Sequence, residues 1–327
     1  MDPKLKASFI KYDASVVALS KASSEMNIKL LKIMAEINSI LKFNMCHDIS
    51  RKPIIDTKKH RAYVTAGGHV RVGRYRGKNE HGDQVPYTEG FLNVIVTSHN
   101  RKGLGASLSP YVVANSKGRI MENLWQFSKV YTRVHAQIQP SWTWEAEEHY
   151  VSDKSTAKGH LTSEYWEWRQ AGMEHDKPVR YPNGFKGKAE CLFALWPDDN
   201  ESVLDPKAKM SEIGYIDARK KIYAPLYVEL AKDNKELKKL QDMLESGVSI
   251  QIIDVDGPDI TKAMGADGIL KEPYDTIPKG IHGQTSGVGS IEITEQNIKL
   301  LMEDPDQPFG HGYVLACMLL EKTEWLY

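Results

Sequence analysis

The segment RIMENLWQFSKVY, residues 119–131, gathers a carboxylate, an amide and an ammonium at helical spacing. Glu122, Gln126 and Lys129 fall at i, i+4 and i+7, which share one face of a helix. Trp125 flanks this stripe, and most other positions are apolar. A polar stripe that is the minority face of an apolar helix lines a pocket or completes a buried network. The competing reading is a solvated face with a local ion pair. In a pocket, such a carboxylate would move protons or face a developing positive charge. A second candidate is ARKKIY, 218–223, which sets Arg219 and Tyr223 on one helix face. Arg219 there either grips a phosphate with two N–H groups or sits on a surface helix.

These residues need elements to position them. The spacing predicts a helix over 120–134, preceded by a strand in FLNVIVT, 91–97. A helix over 211–232 is interrupted at Pro225, which lacks an N–H and clashes one turn back. A helix over 235–245 ends near Gly247, and VSIQII, 248–253, reads as a buried strand. Thr294 caps a helix over 295–303, and another runs over 313–321. A long apolar periodicity over 14–44 predicts an N-terminal helix that packs or pairs with a second copy. Residues 51–78 are basic with interspersed tyrosines, either a solvated face or a contact for nucleic acid, and a hairpin is expected around Gly67–Gly68. The region 140–200 holds Trp142, Trp144, Trp166, Trp168 and Trp196 with little periodicity, as core or as base-stacking surface. Residues 257–290 are Gly- and Pro-rich, as in a surface insertion.

Composition bounds the function. The 327 residues carry 43 Lys+Arg and 43 Asp+Glu, so the formal net charge is zero. That argues against a generic polyanion coat, though not against a local basic patch. With 41% hydrophobic residues the chain is not a disordered one. Cys46, Cys191 and Cys317 form no C-x-x-C pair, so free thiols in a reducing, cytoplasmic setting are expected. No apolar run approaches the ~18 residues of a membrane span, and no membrane partner is expected. No metal site, no P-loop in GIHGQTSGVG and no other cofactor motif is indicated; DVDGPD lacks the closing Glu of a calcium loop.

The polar stripe, E-x-x-W-Q-x-x-K, resembles the signature of the NADAR family. Four further segments resemble that family's motifs in its order: LSPYVV at 108–113, GYIDARKKIYAPLYVELAKDN at 214–234, KELKKLQDMLESGVSIQIID at 235–254 and DQPFGHGYVLACMLL at 306–320. The resemblance covers about 108–131, 214–259 and 306–320. It implies an N-glycosidase acting on a ribosyl or ADP-ribosyl conjugate, a nucleotide-like small molecule carried in some cases on nucleic acid. Glu122 matches the family's catalytic Glu, and Asp306 the acid of its closing motif. Asp254 matches the Glu of a further segment, with Asp256 and Asp259 as alternatives. Ser109, Trp125, Gln126, Lys129, Tyr215, Arg219, Phe309, Gly310 and Gly312 are the implied substrate contacts. The two glycines read either as close approach of the helix start to a phosphate or as a tight turn. The chain departs from the family at Asn123, where His is usual, and at Tyr215 and Phe309, where Trp is usual. A non-catalytic binding protein on the same scaffold, or an assembly protein using 14–44, are the alternatives. The expected fold is α+β, predominantly helical: an N-terminal helical extension over 1–50 and a NADAR-like domain over 51–327. Insertions are expected at about 132–213 and 260–303.

Overall fold

The computed structural model describes residues 53–57, 60–63, 68–75, 90–97, 103–135, 138, 148–150, 161–183, 187, 190–259 and 289–327. The segment 14–44, Arg51, Lys52, Lys58, Lys59, Arg76 and Lys78 of the basic stripe, Trp142, Trp144 and residues 260–288 lie outside them.

The centre is a four-stranded sheet. Strands β3 (Val70–Arg74) and β4 (Leu92–Ile95) flank β10 (Ile250–Asp254), and β10 runs parallel to both. The outer strand β11 (Ser290–Glu292) pairs antiparallel with β3. Strand β10 is buried along its whole length, as expected of a central parallel strand covered on both faces. A second sheet of β5 (Lys129–Tyr131), β8 (Cys191–Pro197) and β9 (Met210–Ile213) is antiparallel. Two small ribbons complete the set: β1 (Pro53–Thr57) with β2 (His60–Tyr63), and β6 (Arg133–His135) with β7 (Glu148–Tyr150). Eleven strands in four sheets among the described residues make this a mixed α/β fold. The expectation of a predominantly helical protein with small β elements is thereby corrected. Three-residue strands such as β5 to β7 are too short to show a period in the sequence.

Among the described residues, seven helices pack around these sheets. They are α1 (Met121–Gln126), α2 (Ser163–Met173), α3 (Tyr215–Ala218), α4 (Ala224–Ala231), α5 (Lys235–Glu245) and α6 (Glu295–Glu303), followed by α7 (His311–Leu319), which is buried throughout. Thr294 caps α6 as expected, accepting from Asn297 N–H, and Asn234 caps α5, accepting from Glu236 N–H. Between α3 and α4 the chain forms a π turn, Arg219–Tyr223, one step before Pro225. The interruption expected at the proline is therefore a widened turn, and it carries Arg219 and Tyr223.

One further expectation changes. The helix expected over 120–134 stops at Gln126; Ser128 Oγ donates to Trp125 O at 2.7 Å, and the β-prone residues 129–131 enter β5. Residues 64–67, where the hairpin turn is expected, lie outside the described residues; among those described, β2 pairs with β1 while β3 belongs to the central sheet. Trp168 and Trp196 are core residues, and Arg71 and Arg74 of the basic stripe are tied to Ser290 and to Gly257 and Asp259. Trp168, Trp196 and Arg71 are buried and offer no surface to nucleic acid.

Candidate active site

One cavity of about 240 Å³ opens beyond the carboxyl ends of β4 and β10. Thr97, just past β4, and Asp254, Val255 and Asp256, at and past the end of β10, line its floor. Crevices at this end of parallel strands are where open α/β sheets place ligands. Glu122, Trp125 and Gln126 come from α1, Lys129 and Tyr131 from β5, and Tyr215, Arg219 and Tyr223 from α3 and the π turn. Arg180, Tyr181, Phe309 and His311 complete the wall.

Glu122 lies at the end of a directed chain. Lys129 Nζ donates to Gln126 Oε1 at 2.7 Å, and an ammonium can only donate. The amide is thereby oriented, and Gln126 Nε2 donates to Glu122 Oε1 at 2.9 Å. Lys129 Nζ also sits 4.8 Å from the centre of the Trp125 ring. The three stripe residues thus meet as their spacing suggested, but across a helix, a turn and a strand. Burial pushes the Glu122 carboxyl above the usual range, against the Gln126 hydrogen bond and the Lys129 charge.

Asp254 has a different environment. Its Oδ2 accepts Gly312 N–H at 2.9 Å, at the start of α7. His311 Nδ1 stands 3.2 Å from the same oxygen. His311 Nε2 faces Val96 O at 2.9 Å, and a carbonyl only accepts, so Nε2 carries a proton. Gly310 and Gly312 are required by this contact: a Cβ on either would meet Asp254 or Asp256 atoms at 2.6–2.8 Å. The anion at this helix start is the protein's own carboxylate rather than a substrate phosphate. Burial, then the Asp254 charge, push the Asp256 carboxyl upward.

Several implied site residues serve other ends. Asp306 is exposed, does not line the cavity, and its N–H bonds Asp304 Oδ1 at 2.8 Å. Asp259 pairs with Arg74 at 3.5 Å and exchanges two backbone hydrogen bonds with the Gln307 side chain, away from the cavity. Ser109 is buried in the turn before α1, where its Oγ accepts Tyr111 N–H. Arg219 reaches the wall, but its terminal nitrogens donate to the Leu301, Met302, Asp304 and Gln307 carbonyls and to Tyr215 Oη. A two-pronged grip on phosphate would break that clamp, so the phosphate-binding reading of Arg219 is corrected. Tyr215, half exposed, stacks against the Arg219 guanidinium, and Phe309 stacks on Tyr313.

Asn123, where the chain departs from the NADAR pattern, faces away from the cavity. Its amide donates to His175 O and Lys177 O and accepts Val179 N–H, pinning the segment that leads to Arg180. Arg180, Tyr181, Tyr111 and His311 were not marked by spacing. Only His311, framed by two glycines before a helix, carried a sequence signal.

Among the described residues there is no group of His, Cys, Asp and Glu suited to a metal ion. No helix there is long and apolar enough to cross a membrane. Cys191 and Cys317 are free thiols. No family model matches the chain, and no curated protein or solved structure matches it either.

Proposed function

We propose that this cavity hydrolyses the N-glycosidic bond of a ribosyl or ADP-ribosyl conjugate of a purine-like base. The observation that carries the reading is that Glu122 and Asp254 line one aromatic-walled cavity in environments that differ in kind. Glu122 is buried beside an amide donor, whereas Asp254 accepts a backbone N–H next to His311, and two carboxyl groups in unlike environments can divide acid and base work between them.

The bonding pair of the C–N bond moves to the base nitrogen, and positive charge develops at the anomeric carbon. Glu122, whose protonated form burial favours, gives its proton to the departing base. Asp254, as the carboxylate held by Gly312 N–H and His311, faces the developing cation and takes a proton from the attacking water. The water oxygen ends on the anomeric carbon, and proton return from Asp254 to Glu122 through solvent closes the cycle. Trp125, Tyr181, Tyr215 and Phe309 line the cavity and supply aromatic surface for the base.

The test is release of free ADP-ribose from ADP-ribosylated guanosine by the purified chain, followed chromatographically. Glu122→Gln, which can still accept from Gln126, should abolish release. An active Glu122→Gln protein would sink the proposal, and ADP-ribose binding without any turnover in the parent protein would make it a binding protein instead.

A further inference from the structure

We infer that Arg180 is the anion-recognition side chain of this cavity, and that it takes the phosphate groups of a nucleotide ligand; this deepens the hydrolase reading and rests on its view of the cavity as a nucleotide site. Three cations line the cavity: Lys129, Arg180 and Arg219. Arg219 has spent its terminal nitrogens on loop carbonyls, and Lys129 orients Gln126. Arg180 is different. Its interactions among the described residues are a long approach to Asp256, Nη2 to Oδ1 at 3.5 Å, the Tyr181 ring at 5.3 Å, and the longer-range charge attraction of Glu122 and Tyr111. No hydrogen bond to a described residue engages its five donors.

A largely buried guanidinium with unspent donors is poised for a ligand that brings acceptors. Its planar fork matches two oxygens of a phosphate, which a point charge does not. The side chain is only 27% exposed, so a phosphate held there loses much of its competition from water. Arg180 is also well placed, because Asn123 fixes residues 175–179 immediately before it with three hydrogen bonds. Asp256, 46% exposed, is the acceptor that a ligand would displace. Burial and the neighbouring Asp254 already disfavour its charged form, which eases that exchange.

The experiment is calorimetric titration of the full chain with ADP-ribose, adenosine and inorganic pyrophosphate. Arg180→Gln should weaken ADP-ribose binding about tenfold to a hundredfold. Arg180→Lys, which keeps the charge but not the fork, should also weaken it, by less. Adenosine, lacking phosphate, should bind all three proteins alike. Asp256→Asn should tighten ADP-ribose, which tests the same contact with a variant that leaves Arg180 in place. The inference is overturned if ADP-ribose affinity is unchanged in Arg180→Gln, if adenosine loses as much, or if the parent protein does not bind ADP-ribose. Pyrophosphate binding as tightly as ADP-ribose would replace the nucleotide with a free anion and overturn the ligand assignment. Arg180-dependent binding without base release would leave the anion site standing and overturn the hydrolase. Base release with an unchanged KM in Arg180→Gln would do the reverse.

Discussion

Gly310→Ala tests whether the placement of Asp254 matters to the chemistry. Gly310 has φ −110° and ψ −179°, an extended conformation open to any residue, so the substitution brings no backbone strain. The effect is therefore steric. The added Cβ would stand 2.6 Å from Asp254 Oδ2 and 2.7 Å from Asp256 Cβ. Ordinary carbon contacts lie near ~3.5–4.0 Å, so the β10 end and the start of α7 must separate by about 1 Å. Overpacking of this kind costs about 1–3 kcal/mol. For a domain of roughly 150–250 residues that lowers Tm by about 2–12 °C. A displacement of about 1 Å at a reacting group costs around a hundredfold in turnover. The assay pairs base release with thermal unfolding, and Gly214→Ala is the control. Gly214 has nothing within 4 Å of its added Cβ and an ordinary φ of −65°. Gly310→Ala with full turnover would refute the role given to Asp254. An equal loss of turnover in Gly214→Ala would show that the assay reads general fragility.

Two more expectations concern charge. Glu122 binds its proton more tightly in the folded chain than in the unfolded one, because burial penalises the anion. The folded state then holds more protons above the ordinary Glu range, so stability falls as pH rises from that range through the raised folded value. Glu122→Gln should remove this fall, and thermal unfolding against pH for both proteins checks it; parallel curves would contradict it. Arg219→Lys should destabilise by about 2–4 kcal/mol, since several buried carbonyls of 301–307 lose their donor. Urea unfolding measures this, and a change within ~0.5 kcal/mol would contradict the clamp.

Local signals read well from the sequence where one element suffices. The cap residue Thr294, the buried run that becomes β10 and the Glu122–Gln126 pair of α1 all behaved as local chemistry dictates. What failed was set by distant contacts. Lys129 leaves the helix for β5, since pairing with β8 and the Ser128 turn outweigh a continuing helical pattern. The cavity residues missed in sequence lie on loops or at helix starts. His311 owes its significance to Val96, 215 residues away in the chain, and Arg180 to the grip of Asn123 on 175–179. Asp306 had the family's spacing, yet the cavity is floored by Asp254 at the end of β10, and the loop before α7 lines it only from Pro308 onward. The resemblance to the NADAR motifs pointed to Glu122, which lines the cavity, and to Asp306, which does not.

That contrast supplies the most direct test of the central claim. Turnover of ADP-ribosylated guanosine should be measured side by side for Asp254→Asn and Asp306→Asn. The account predicts that Asp254→Asn loses activity by a hundredfold or more, a rough scale for a general acid–base group, while Asp306→Asn retains it. Activity lost in Asp306→Asn and kept in Asp254→Asn would contradict it, as would a parent protein that releases no base.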